Sequence, residues 1–510
     1  MADSKREIER KYEATADTRL PDLRKAAGVA AVVHRGVSEL DAVYYDTPDF
    51  RLAAASLTLR RRTGGSDAGW HLKFPVAPGV RDEIQAPAAD TLPPDLAALL
   101  RSRTRGAEVV PVVRLLTTRD VHHLTGAEGG LLAELSVDEV CAERLTEGGG
   151  PTVTWTEIEV ELADDGDPAL LDAVEKRLRK AGVRPAASAS KLARALGETA
   201  PGSRPAPTEG PERPAPVTAG DHVLAYVRRQ AEAIVTLDPA VRRDLPDSVH
   251  RMRVATRRLR SALKTYRAVL DRTVTDPVGD ELKWLATELG AGRDHEVLEA
   301  RLRADLGRVP QTLLLGPATA RLDIWSTAHG IESRERVLAA LDGERYLALL
   351  ETLDALLADP PLRPAAGRAP GEVLPRAVLK EYDRLAARVA RAFEQPPGHD
   401  RDVATHEARK AAKRARYAAE AARPALGKPA KKFAKRMKAV QSVLGDHQDS
   451  VVARATLRAL AVQAHAAGET AFTWGLLYGE EEAAAAGRER ELPEVWARAS
   501  RPRLRSALTG

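Results

Sequence analysis

The chain has 510 residues, of which 44% are apolar, 4% aromatic and 30% charged, with a formal net charge of +5. That length supports two or three domains whose cores rest on Leu, Val and Ala rather than on rings, and so small a charge excess matters less than where the charge sits. The single cysteine, Cys141, excludes an intramolecular disulfide and argues against a cysteine-based zinc centre; the charged start MADSKREIERKYE and the lack of a membrane-length apolar run point to a soluble cytoplasmic protein with no membrane partner.

In chain order, EIERKY, SLTLRRR, WHLKFPV, PVVRLLT, LLAELSVDEV and TWTEIEVEL alternate apolar and polar residues, with turn signals TGGSDAG and TEGGG between them. The pattern predicts an antiparallel sheet or barrel with a few helices. On a strand, residues two apart share a face. Glu7, Glu9 and Lys11 form one such row, Arg60 and Arg62 a second, His71 and Lys73 a third, and Glu157, Glu159 and Glu161 a fourth; Arg114 and the row Glu134, Ser136 and Asp138 can join them. One such row reads as the wet side of a half-exposed sheet. Six strands carrying acids or bases favour a closed barrel with a polar interior.

A bore holding several carboxylates and several Arg/Lys groups is costly to bury empty. A divalent metal and a polyanion balance it. Carboxylates hold Mg²⁺ or Mn²⁺, which coordinate phosphate oxygens, while Arg and Lys take the remaining phosphate charge. Phosphoryl transfer asks for positioning and neutralisation, so no Ser or Cys nucleophile is needed.

EIERK resembles the ExExK signature of CYTH domains, the triphosphate tunnel metalloenzymes. The resemblance continues through YYDTPDFRLAAASLTLRRRTGG, WHLKFP, EIEVEL and SASKLARAL, from about Ser4 to Gly197. It implies an eight-stranded antiparallel tunnel that binds a triphosphate and divalent metal. It also implies that Glu7, Glu9, Glu157, Glu159 and Glu161 hold the metal, with Glu7, Glu9, Lys11 and Glu159 catalytic. Lys11, Arg60, Arg62, Lys73, Arg114 and Lys191 are the implied phosphate ligands. RLLTTR can be registered in more than one way, so Arg119 competes with Arg114, and Lys191 can also be read as a solvated lysine at a helix end. The implied activity is hydrolysis of inorganic triphosphate. Thiamine triphosphate hydrolysis, an adenylate cyclase reaction and a tunnel acting only as a receptor are the alternatives. No GxxxxGK[ST] loop supports a nucleotide site of that kind.

Residues 199–220 carry six prolines and few large apolar side chains, which reads as an extended linker. If the part beyond it also holds phosphate chains, the linker would raise their local concentration at the tunnel. The expected organisation is therefore a domain over 1–198, the linker, and a helical domain over 221–505.

Beyond the linker the period is helical, and a repeat appears. VHRMRVATRRLRSAL is answered by THEARKAAKRARYAAE, with His250 and His406 156 positions apart; ELGAGRDHEVLEARL is answered by VLGDHQDSVVARATL, with Asp294 and Asp449 155 apart. Two signals of nearly one period predict duplicated helical bundles over about 221–359 and 372–505, joined at PPLRPAAGRAPG. On a helix His250, Arg253, Arg257, Arg260, Lys264 and Arg267 fall within about 100° of arc. His406, Arg409, Lys413 and Arg416 repeat that spacing, and Lys428, Lys431, Lys432, Lys435 and Lys438 form a further basic run. Ordinary solvated faces mix signs at this spacing because like charges repel.

Such a face calls for an anionic partner. Stacking aromatics are scarce and no nucleic-acid-binding signature appears, so no specific nucleic acid is expected. The paired motifs resemble the two halves of a CHAD domain. That resemblance implies polyphosphate binding, with His250, Arg253, Arg257, Arg260, His406, Arg409, Lys413 and Arg416 as ligands. GDHQD offers Asp446, His447 and Asp449 to a metal, but GAGRDHE lacks the first acid and displaces the histidine, which favours a structural or phosphate-facing role. The sequence gives no oligomeric state.

Overall fold

A computed structural model describes residues 3–65, 67–146, 150–199 and 215–509. The chain divides into two units, Met1–Arg213 and Pro214–Gly510. Most of the proline-rich segment 199–220, namely residues 200–214, lies outside the described residues.

The first unit runs β1 (Asp3–Ala14), β2 (Ala31–Asp46), α1 (Arg51–Ala54), β3 (Thr58–Thr63), β4 (Gly69–Ala77), β5 (Val80–Ala86), α2 (Pro94–Thr104), β6 (Val110–Thr125), β7 (Leu131–Arg144), β8 (Val153–Leu162), α3 (Ala169–Lys180), β9 (Arg184–Pro185) and α4 (Lys191–Glu198). The strands pair antiparallel in the order β5-β4-β3-β2-β6-β7-β8-β1, and β1 pairs back onto β5 to close an eight-stranded barrel. The short β9 adds to β1 at one end.

Period-two alternation explains the barrel's two surfaces. Ile158, Val160 and Leu162 of β8 turn outward and are buried by Leu170, Leu171, Val174 and Leu178 of α3. Burying each of those four helix side chains contributes about 2 kcal/mol. Leu96, Leu99 and Leu100 of α2 cover Leu59, Trp70, Leu72 and Ile84 in the same way. The apolar face is therefore the outside, packed under helices, and the polar residues between are turned into the bore.

Two strands lie outside the six alternating runs. In β2 the pairing with β6 shifts register between His34 and Gly36. This bulge reverses which residues face inward, so simple alternation breaks. The strand β5, VRDEIQA, is short and follows a tight turn. The YYDTPDF motif owes part of its character to a cap: buried Asp46 accepts backbone N–H groups of Thr47, Leu52 and Ala53 at 2.7–2.8 Å, holding the start of α1.

The second unit is helical: α5 (Ala219–Arg242), α6 (Ser248–Thr265), α7 (Arg272–Glu288), α8 (Gly290–Arg308), α9 (Ala318–Asp342), α10 (Glu344–Ala358), α11 (Pro370–Glu394), α12 (His399–Ala466), α13 (Phe472–Ala499) and α14 (Pro502–Ser506). Thr218 and Asp221 form a reciprocal capping box at the start of α5. The long α12 is broken at Gly427 (φ 60°, ψ −132°). Its halves run antiparallel, because Asp402 meets Arg454 at 2.9 Å, His406 meets Gln448 at 2.6 Å and Arg409 meets Asp449 at 3.2 Å. The first half of α12 thus corresponds to α6, and its second half to α7 and α8. Among the described residues no helix is long and apolar enough to cross a membrane.

Candidate functional sites

The barrel encloses a cavity of about 520 Å³, lined by nine Lys/Arg and seven Asp/Glu side chains. Pairing register decides which of them meet. On β1 and β8, Glu9 stands directly opposite Glu161, and Lys11 opposite Glu159. Like charges directly opposite each other destabilise a sheet unless a cation sits between them.

The cavity has two electrostatic groups. In one, Lys191 at the start of α4 reaches Asp138 (2.9 Å), Glu157 (2.8 Å) and Glu159 (2.6 Å). Glu159 also bonds Lys11, and Arg119 (2.8 Å), while Arg119 grips Asp138 through two bonds of 2.6 and 2.8 Å. Burial disfavours the charged form of Glu159, yet Lys11, Lys191 and Arg119 outweigh it and hold the carboxyl well below its usual range. Burial likewise opposes the Lys191 ammonium, and Asp138, Glu159 and Glu157 outweigh it and raise its pKa. The oxygens of Asp138, Glu157 and Glu159 lie within 4.8 Å of one another, a spacing that suits a metal, but the Lys191 ammonium occupies their centre. Glu157 is further engaged by the Trp155 indole N–H at 2.6 Å.

In the other group, Lys73 binds both oxygens of Glu7 at 2.6 and 2.8 Å, and Glu83 accepts from His71 at 2.9 Å with Lys73 at 3.5 Å and Arg60 at 3.7 Å. Burial pushes the Glu7 carboxyl up to about 7 even though Lys73 pulls it down, because Glu83 and Glu161 push it further. Arg62 is buried and bonds Asp67. Burial, and then the nearby guanidiniums of Arg60 and Arg119, lower its pKa. The Nε–H groups of Arg60 and Arg62 are buried without an acceptor. A buried unpaired donor costs about 1–3 kcal/mol, a cost that an anionic ligand reaching these groups would offset.

Of the expected residues, Glu7, Glu9, Lys11, Arg60, Arg62, Lys73, Glu159, Glu161 and Lys191 line one cavity. Glu157 lies beneath it under Lys191. Arg114 requires correction: it is outside the cavity lining and pairs with Asp41 at 2.6 Å. Arg114 and Arg119 are five positions apart, an odd offset, so on one strand they face opposite ways, and it is Arg119 that enters. Glu83 also lines the cavity, and Asp138 is held beside it by Lys191 and Arg119; the alternating row Arg81, Glu83 and Gln85 is the sequence signal that could have found Glu83. If the lining is the working surface, Arg119→Ala should lower triphosphate turnover at least about 100-fold and Arg114→Ala should leave it unchanged, as read by phosphate release.

In the helical unit the repeat reproduces a contact. Arg253 of α6 makes two bonds to Asp294 of α8, at 2.7 and 2.8 Å, and Arg409 meets Asp449 in the second copy. A Cβ at Gly290 would meet the Arg253 guanidinium at 3.0 Å, so glycine lets the arginine lie across the helix. Arg257 and Lys413 complete the group. Burial, then Arg257, Arg409 and Arg253, push the Lys413 ammonium down to about 7. Burial also lowers Arg257, with Arg253 and Arg409 adding to it. Neither Arg257 nor Lys413 has an ion-pair partner among the described residues, and the Nε–H groups of Arg253 and Arg409 are buried without an acceptor.

The other expected residues are placed less centrally. His406 Nδ1–H donates to Gln448 Oε1 at 2.6 Å beside Arg409, and His250 is half-buried near the start of α6. Arg260 bonds the Gly279 carbonyl at 3.1 Å. Arg416 pairs with Glu420 at 3.1 Å and lies over the Tyr417 ring. His447 of GDHQD is buried between Asp402 (3.4 Å) and Glu489 (3.2 Å), carboxylates already balanced by Arg454 and Arg401. Lys428, Lys431, Lys432, Lys435 and Lys438 are exposed.

Compared with known proteins, residues 5–196 match the CYTH domain and residues 225–458 the CHAD domain. The chain is 39% identical over 503 residues to the uncharacterized protein Rv2226 of Mycobacterium tuberculosis, covering 96% of this chain and 95% of that one. Among solved structures, PptA from Streptomyces chartreusis is similar at 24% identity and a TM-score of 0.48, covering 56% of this chain and 100% of that one. The CHAD domain from the plant Ricinus communis is similar at 28% identity and a TM-score of 0.45, covering 56% and 92%.

Proposed function

Because this chain belongs to the CYTH and CHAD domain families, we propose that its barrel hydrolyses inorganic triphosphate with Mg²⁺ or Mn²⁺ and that its helical unit binds polyphosphate. The observation that carries the first half is the enclosed bore whose cation wall holds two buried guanidinium N–H groups without acceptors.

The acids of the bore fit a hard cation, because every donor is a carboxylate oxygen. Glu7, Glu9, Glu157, Glu159 and Glu161 are the residues to hold it; each is paired with a lysine that it would give up to the metal. When bound, such an ion neutralises charge on the phosphate oxygens. The chain itself does the positioning. Lys11 and Lys73, each paired with a glutamate, exchange that partner for phosphate. Arg60, Arg62 and Arg119 supply fixed guanidinium forks, and Lys191 holds the acid cluster beneath them.

Phosphate release from tripolyphosphate, thiamine triphosphate, ATP and long polyphosphate, with and without Mg²⁺ or Mn²⁺, tests the reading. Metal-dependent release from tripolyphosphate is expected. Release only from thiamine triphosphate, a cyclic nucleotide product from ATP, or binding with no release from any substrate would each replace it with another activity.

A further inference from the structure

The outer face of the barrel carries a side-chain cluster with no part in either anion site. The bulge in β2 creates it. Arg35, Gly36, Val37 and Ser38 all border the cavity at this point, and the pairing with β6 slips by one residue between His34 and Gly36. Gly36 makes the slip with φ 108°, a conformation that other residues rarely adopt. His34 is thereby turned to the outer face, directly opposite His122 of β6. On β6, Arg119 and Val121 line the cavity, so Asp120 and His122 also point outward.

The three side chains meet there. His34 Nε2 lies 2.7 Å from Asp120 Oδ1, and His122 Nε2 lies 3.2 Å from Asp120 Oδ2. The two imidazole rings are 5.1 Å apart between centroids. An ionised carboxylate only accepts hydrogen bonds, so each ring now presents an Nε2–H to it. Neither Nδ1 has a partner among the described residues. Each ring is therefore free to carry its proton on Nδ1 and to turn an Nε2 lone pair toward a cation, with no net proton change.

Two imidazole nitrogens and one carboxylate oxygen form a donor set suited to first-row transition metals rather than to Mg²⁺ or Ca²⁺. Metal–ligand distances of about 2.0–2.2 Å place neighbouring ligand atoms roughly 3.3 Å apart. The two histidine–carboxylate separations are near that value but run to different oxygens of Asp120. Rotation of His34, whose side chain is 57% exposed, brings its Nε2 toward His122 and a shared oxygen. We propose that His34, Asp120 and His122 bind a transition-metal dication, Zn²⁺ fitting best, on the outer face of the β2–β6 wall. With solvent at the fourth position and no carboxylate orienting either Nδ1, the site is a moderate-affinity one that clamps two strands across their bulge.

The test is calorimetric titration of the full chain with Zn²⁺ in excess Mg²⁺, which fills all-oxygen sites. One equivalent is expected, with a rise in Tm. His34→Ala or His122→Ala should each weaken that equivalent at least tenfold, and the double substitution should remove it together with the Tm rise, leaving the metal-free melt unchanged. An equivalent that survives the double substitution, or that disappears instead in His447→Ala, overturns the proposal. So does the absence of any Zn²⁺ uptake by the wild-type chain.

Discussion

Glu9→Gln should lower triphosphate turnover by about 100- to 1,000-fold, the usual cost of removing a group that organises charge at a reacting phosphate. The structure also predicts how differently Glu7→Gln will behave in stability, although it is expected to be as inactive. Glu9 is held below its usual pKa: burial opposes this, but the Lys11 ammonium, 3.0 Å away, outweighs it. Replacing Glu9 leaves Lys11 dependent on Glu159 alone, and breaking a buried pair costs about 3–5 kcal/mol. Glu7 is raised instead, to about 7, so near neutrality much of it already carries a proton that Gln imitates. The sign follows from linkage. The folded state binds the Glu7 proton more tightly than the unfolded chain, so its contribution is fully present below the unfolded value of 4.5 and is lost as pH rises through 7. That loss is roughly 3 kcal/mol at 1.36 kcal/mol per pKa unit. Denaturation midpoints measured without metal between pH 4.5 and 8 should therefore fall with pH more steeply in wild type than in Glu7→Gln. Parallel profiles would show that Glu7 titrates normally. Polyphosphate binding retained by both variants separates loss of chemistry from loss of fold.

How far such residues were legible in the sequence depends on what fixed them. The rows Glu7/Glu9/Lys11, Arg60/Arg62 and Glu157/Glu159/Glu161 were readable because strand parity is local and because bases and acids recur on six strands. Arg119 was not separable from Arg114, since parity says only that one of them enters. The choice is made by Asp138 on the neighbouring β7 and Glu159 on β8 beyond it, which receive the guanidinium. Glu83 was missed because β5 is short. His34 was missed because the bulge at Arg35 reverses the parity on which the reading relied. In the helical unit the spacing of the repeated motifs reveals the duplication and aligns Asp294 with Asp449, but it does not show what the two aspartates hold, nor what the glycines near them do. Their role is three-dimensional: Asp294 and Asp449 aim Arg253 and Arg409, and Gly290 leaves room for the first of them. Lysines at 428–438 have a similar spacing, which reads only as a further basic run, and in the fold they are exposed.

Replacing Arg257 and Lys413 together by Gln should change stability and binding in opposite directions. In the absence of an anion, these two cations are forced against Arg253 and Arg409 with no carboxylate of their own. Removing their charge relieves that repulsion, and Tm should rise by roughly 2–4 °C for each kcal/mol relieved. Polyphosphate affinity should fall at least about 100-fold, because the two cations of the cluster that lack an ion-pair partner among the described residues are gone. A purely structural pair would do the reverse, losing stability and leaving binding intact. Lys413 adds a pH signature. Its folded value of about 7 lies below the unfolded 10.5, so its penalty on the fold is absent above 10.5, grows as pH falls and is complete below 7. A bound polyanion restores the ammonium, so binding takes up a proton between these limits. Affinity should weaken by up to about tenfold per unit as pH rises from 7 toward 10, while Lys413→Gln should be nearly flat over the same range. Isothermal titration in two buffers of different ionisation enthalpy reads the proton directly. No uptake by wild type at pH 8 would mean that the four cations do not share one anion.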